Sequence, residues 1–127
     1  MLINHIGIWV NDLELMKDFY LKYFNGKAGA KYKNESKNFE SYFISFENKT
    51  RIELMNSPSH KIKPDDKNNA GLAHVAISAG SSDEVDILTE RMRNDGITVI
   101  SNPRKTGDGY YESTIYDPEG NIIEITG

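Results

Sequence analysis

Two stretches of the chain alternate apolar and polar positions around a histidine. In "LINHIGIWV", Leu2 to Val10, the residues Ile6, Ile8 and Val10 fall on one side of an extended chain, and His5, Gly7 and Trp9 on the other. In "GLAHVAISA", Gly71 to Ala79, Val75 and Ile77 oppose His74. Successive side chains of a strand point to opposite faces, so period-two alternation predicts a strand in each place. After each strand the period lengthens. Leu13, Met16, Tyr20 and Tyr23, widened by Phe19 and Phe24, predict an amphipathic helix that Asn11 or Asp12 caps and Gly26 ends in a left-handed conformation. Val85, Leu88 and Met92 predict a second helix, opened by a Ser81/Glu84 capping box and ended at Gly96.

Three strands are predicted after each helix. In the first half they lie around Lys27–Asn34, Glu40–Glu47 and Thr50–Asn56. In the second they lie around Ile97–Ser101, Gly109–Tyr116 and Asn121–Ile125. The turns "ENKT" and "DPEGN" precede the last strand of each half. Between the halves, residues 57–70 ("SPSHKIKPDDKNNA") are polar, contain two prolines and read as a linker, with His60 solvated. The chain is thus written twice as βαβββ, with a first module over residues 1–56, a second over 71–127, and both within one domain. The fold class is α+β: two tandem modules forming curved mixed sheets with helices on the outer face. Each copy has roughly 55 residues, few for a generous core of its own. One sheet face is therefore left to curl around something or to meet a second copy.

Composition narrows the function classes. The net charge of -4 leaves no broad basic footprint, which argues against a nucleic-acid role. The absence of cysteine excludes disulfides and thiolate metal ligands and fits a reducing compartment. No apolar run approaches the roughly 18 residues of a membrane span, and the N-terminus lacks the features of a signal peptide. The expectation is a cytoplasmic protein with no membrane partner.

Four ionisable residues stand opposite the apolar stripes of their strands. In "TRIELMN", Arg51, Glu53 and Met55 oppose Ile52 and Leu54. In "NIIEITG", Ile122, Glu124 and Thr126 oppose Ile123 and Ile125. With His5 and His74 these make a duplicated pattern of His on the first strand and Glu on the last, separated by 48 residues in one copy and 50 in the other. A single strand Glu or His is ordinarily solvent-facing or hydrogen-bonded. Four in matching positions of two copies point to a site. Buried imidazoles and carboxylates are costly unless paired or bound to a cation. Two of each suit a divalent ion such as nickel, zinc, cobalt, manganese or iron, and leave open positions for a substrate oxygen.

The motifs "HIGI" at His5, "RIELM" at Glu53, "LAHVAIS" at His74 and "DPEGNIIEI" from Asp117 to Ile125 resemble the vicinal oxygen chelate superfamily, which includes glyoxalases, bleomycin-resistance proteins and dioxygenases. The ligand pattern is most similar to the lactoylglutathione lyase (glyoxalase I) branch. This resemblance implies one divalent metal held by His5, Glu53, His74 and Glu124. It also implies a homodimer in which subunits share sites, and proton-transfer isomerisation of a hemithioacetal formed from a 2-oxoaldehyde, such as methylglyoxal, and a thiol. Glu124 matches the base, and Glu53 stands in the mirror position. Glutathione-using members carry an arginine where Trp9 stands and an asparagine where Ser57 stands. The glutathione site is therefore not carried over. Trp9 and Met55 share the pocket face with the ligands, with Trp9 either a pocket wall or core. Arg104, Lys105 and Tyr111 lie in "PRKTGDGYYES", which is either a loop closing over an anionic substrate or an ordinary hairpin. Fosfomycin-type thiol transfer or hydrolysis and non-catalytic drug binding are the alternative functions. Extradiol dioxygenation generally uses a two-histidine, one-carboxylate triad on iron, so the additional Glu53 argues against it.

Overall fold

Apolar positions at period two form short strands here, and each half folds them around one helix. The structure, a computed structural model, describes residues 3–60, 71–107 and 109–127. The chain divides into two compact units, Met1–Asp66 and Lys67–Gly127. Residues 61–70 of the expected linker lie outside the described residues.

The first unit runs β1 (Ile6–Trp9), α1 (Leu13–Phe24), β2 (Lys27–Ala28), β3 (Tyr32–Asn34), β4 (Phe39–Ser45) and β5 (Arg51–Asn56), with 3-10 turns at Glu35–Lys37 and Glu47–Lys49. Its sheet has the order β1-β5-β4-β2, with β3 also pairing with β4. The β1/β5 pair is parallel and the β4/β5 pair antiparallel. The second unit runs β6 (Val75–Ser78), α2 (Ser82–Asn94), β7 (Val99–Lys105), β8 (Tyr111–Tyr116) and β9 (Ile122–Thr126), in the sheet order β6-β9-β8-β7. Again the first strand pairs in parallel with the last, which is antiparallel to its other neighbour. The sheets are mixed and each carries a helix, as the doubled pattern predicts.

The cores follow the predicted stripes. Met16 and Tyr20 of α1 are fully buried with Ile44 and Leu54, and Val85 and Met92 of α2 with Ile115, Ile123 and Ile125. The second helix departs in one place. Thr89 is buried where Leu88 is only half-buried. Its hydroxyl lies 2.6 Å from both the Val85 carbonyl, to which it donates, and the Ser113 hydroxyl of β8, so a small polar contact stitches helix to sheet. Asp12 caps α1 by accepting from the Leu15 N–H, and Ser81 caps α2 by accepting from the Glu84 N–H.

The helix ends differ. Gly96 (φ +84°) closes α2 as a Schellman turn, with the Ile97 N–H on the Met92 carbonyl and the Gly96 N–H on the Arg93 carbonyl. In α1 the left-handed residue is Asn25 (φ 52°), not Gly26. Gly26 has a different reason to be glycine: a Cβ there would stand 2.6 Å from Cγ2 of Ile44 and 3.1 Å from the Tyr20 carbonyl oxygen. The expected strand 27–34 is broken into β2 and β3 around Gly29, which weakens a strand interior. The first strands are also shorter than expected, so His5 and His74 each stand one residue ahead of their strand.

The "DPEGN" turn aims β9. Asp117, 4% exposed, accepts at Oδ1 from the Glu119 and Asn121 N–H groups and at Oδ2 from Asn121 Nδ2. Burial outweighs these contacts and holds its carboxyl above the usual carboxylate range. A raised carboxyl contributes stability at low pH that is lost as pH rises through its folded value. Asp117→Ala should therefore lower unfolding free energy by about 1–3 kcal/mol, and the gap to wild type should narrow as pH rises through that range. Denaturant titration at several pH values reads both effects; a gap that widens with pH would contradict this account.

Candidate functional site

Each helix covers one face of its sheet, and the His and Glu of each unit stand on the other. In the first unit Gly7 pairs with Glu53 in the β1/β5 register, and the His5 ring lies over that position with its Nε2 3.5 Å from Oε2 of Glu53. In the second, Ala76 pairs with Glu124, and Nε2 of His74 lies 3.2 Å from Oε2 of Glu124. The correspondence is positional to the residue: one His before the strand, and one Glu opposite the strand's second residue. The imidazoles are about two-fifths exposed and the carboxylates about one-fifth, so both pairs are open to a ligand yet partly withdrawn from water.

The His5 pair can be read at the level of protons. Oδ1 of Asn4 accepts from the Arg51 guanidinium, which fixes the orientation of that amide. The same oxygen lies 2.9 Å from Nδ1 of His5. Nδ1 must then donate, so a neutral His5 turns the Nε2 lone pair towards the Glu53 carboxylate. Two lone-pair donors facing each other this closely suit a shared cation. Their spacing is also that of neighbouring ligands around an ion with bonds of about 2.1 Å. Phe43, which pairs with Glu53, packs edge-on against the His5 ring at 5.1 Å and holds it in place. The residues present therefore fit a divalent metal, two donors to each unit. Among the described residues, no third His, Asp or Glu joins either pair within its own unit.

The surroundings of the two pairs differ. Trp9 pairs with Met55 on the open face of the first sheet, and a Cβ on Gly7 would stand 2.8 Å from the Met55 Cε. Trp9 is 43% exposed, which removes it from the core. It meets Phe39 edge-on at 6.0 Å, and Phe39 in turn meets Tyr32. His60, expected to be solvated, is exposed at its edge, but its ring stacks on the Trp9 indole. The open face of the second sheet adds polar side chains beside its pair. Thr114 pairs with Glu124, and two residues before it Glu112 turns to the same face, 14% exposed and 3.6 Å from the Arg104 guanidinium.

Two expectations for the "PRKTGDGYYES" stretch change. Arg104 and Lys105 end strand β7 instead of riding on a loop, because Arg104 pairs across to Glu112 and Lys105 to Tyr111. Tyr111 turns to the helix side, where its hydroxyl donates to Asp86 of α2; that carboxylate holds the phenol above its usual range. Tyr111 is thus on the face opposite Glu124. Sequence reasoning passed over Glu112, Phe39 and Asn4. Alternation within "YYESTIY" carried the signal for Glu112, whereas Phe39 and Asn4 gain their roles only through contacts.

Comparison with known proteins agrees with this layout. The profile of the Glyoxalase/Bleomycin resistance protein/Dioxygenase superfamily matches residues 2–125. An uncharacterized Bacillus subtilis protein, YqjT, is 26% identical over 97% of this chain and 96% of its own length. A glyoxylase/bleomycin resistance protein/dioxygenase domain from Frankia sp. superposes with a TM-score of 0.84 at 17% identity, covering 99% of this chain and 96% of that one. Glyoxalase I from Zea mays superposes with a TM-score of 0.78 at 22% identity over 97% of this chain, which spans only 43% of the maize enzyme's length.

Proposed function

The chain belongs to the Glyoxalase/Bleomycin resistance protein/Dioxygenase superfamily, and we propose that it is a metal-dependent lyase of the glyoxalase I type. Its reaction converts the hemithioacetal of a 2-oxoaldehyde and a thiol into a 2-hydroxyacyl thioester. The observation that carries this reading is the repetition of one His–Glu pair at the same register in both units, 3.5 Å and 3.2 Å apart. These donors stand on an open sheet face, where they fill no core, as a site for a small polar molecule requires.

In this reading His5, Glu53, His74 and Glu124 hold one divalent ion. When bound, that ion supplies Lewis-acid polarisation of the substrate oxygens. Glu124 takes the proton from the carbon bearing sulfur and hydroxyl and returns it to the neighbouring carbonyl carbon. The hydroxyl proton of the first carbon passes to the oxygen of the second, so the first carbon becomes the thioester carbonyl, the second the alcohol, and no atom is gained or lost. Glu53 stands in the mirror position and serves the opposite face of the substrate. The Asn4 contact keeps the His5 proton on Nδ1 and its ligating nitrogen free. The protein acts as a homodimer in the cytoplasm, and no helix of the described residues is long and apolar enough to cross a membrane.

The test is to strip the protein of metal, reload it separately with nickel, zinc, cobalt, manganese and iron, and assay each form with methylglyoxal and a panel of low-molecular-weight thiols. Stoichiometric uptake with turnover in at least one form is expected. Stoichiometric uptake without turnover on any thiol would remove the lyase assignment while keeping the metal site. Absence of uptake would remove both.

A further inference from the structure

The first sheet holds a stacking site that the isomerisation does not use. His60 lies on Trp9 with ring centroids 3.5 Å apart and planes 12° from parallel, and Phe39 stands edge-on to the same indole at 87°. The exposed indole face is therefore a slot that already accepts a flat ring, and in this structure an imidazole from the chain's own surface occupies it. His60 is lightly held there: its N–H donates to the Ser57 carbonyl and its Nδ1 lies 3.3 Å from the Ser59 hydroxyl, while the residue remains exposed. Trp9 lies four residues beyond His5 on the same face, roughly 13 Å along an extended chain. The floor between them is Gly7, overlain by the Met55 thioether. A molecule reacting at His5 and Glu53 would reach the slot with its far end across an apolar strip.

We propose that the Trp9 face is a subsite for a flat, uncharged aromatic ring at the distal end of the small molecule this protein acts on, and that this ring binds by displacing His60. The inference deepens the lyase reading and rests on it for the placement of the reacting end. Its test rests on neither metal nor turnover. Trp9 is the sole tryptophan of the chain, so its fluorescence reports this slot and nothing else.

The probe is 4-nitrobenzyl alcohol, with cyclohexylmethanol as a ring of like size lacking a π face, titrated into metal-free protein. Expected is saturable quenching by the aromatic probe with an unchanged fluorescence lifetime, and no relief of that quenching by cyclohexylmethanol at equal concentration. Because an exposed side chain is removed, His60→Ala should fold normally. It should bind the probe about two- to tenfold more tightly, the range expected for one aromatic stack. Phe39→Leu should weaken binding by a similar factor. Linear, lifetime-shortening quenching in both wild type and His60→Ala would overturn the subsite, and equal affinity in the two proteins would overturn the displacement of His60. Failure of the lyase reading would show instead as absent turnover with this binding intact.

Discussion

Replacing Glu124 by alanine is expected to lower kcat/KM for hemithioacetal isomerisation by about 10²–10⁴-fold, the range for loss of a positioned general base. The same change should sharply weaken uptake of a divalent ion. Glu124 lies on β9, the strand flanked by β6 on one side and β8 on the other. Its neighbours Ile123 and Ile125 are fully buried against the helix side, while its own carboxylate is 22% exposed on the open face beside His74. Truncation therefore empties no core volume and removes a partly solvated pair, so stability should change by no more than about 1 kcal/mol. Metal stoichiometry, initial rates and a denaturation curve on one preparation separate these effects. Unchanged rate and unchanged ion affinity in Glu124→Ala would exclude the residue from both roles.

Leu54→Ala should do the reverse. Leu54 is fully buried on β5, next along the chain from Glu53 but on the other face, and α1 packs on the β4/β5 pair. Its removal should cost about 2–5 kcal/mol, through lost burial and the cavity left behind. Ion affinity, measured under conditions where the variant is still folded, should stay close to wild type. The measurement is the denaturant midpoint at constant slope; a loss under about 1 kcal/mol would mean that this strand is not the keel of the first unit. Taken together, the two variants test one claim about strand alternation. In Glu53–Leu54, and in the matching Glu124–Ile125, adjacent residues serve chemistry and stability separately because they point to opposite faces.

Alternation made much of this legible before any coordinates. Helix existence, the capping by Asp12 and Ser81, the Schellman glycine at Gly96 and the faces of Glu53 and Glu124 all follow from local rules that involve a few neighbouring residues. Tyr111 is expected at the substrate because "PRKTGDGYYES" reads as a closing loop that leads into a strand, although alternation within the expected strand Gly109–Tyr116 already groups it with Ser113 and Ile115. Once β7 extends to Lys105 and β8 begins at Tyr111, the same rule puts Tyr111 on the helix side and Glu112 on the open one. Gly26 illustrates the opposite limit. Its neighbour Asn25 adopts the left-handed turn, and the need for glycine comes from Ile44, far away in sequence.

The chain's own pattern determined the doubled βαβββ order, the two helices and the pairing of one His with one Glu in each copy, because strand and helix periods and the copied spacing are properties of the linear sequence. Tertiary structure alone decided that Asn4 and Arg51 set the tautomer of His5, that Glu112 takes Arg104, and that His60 lies on Trp9. Those contacts join residues whose separation along the chain carries no period, and they exist only where packing brings the side chains within reach.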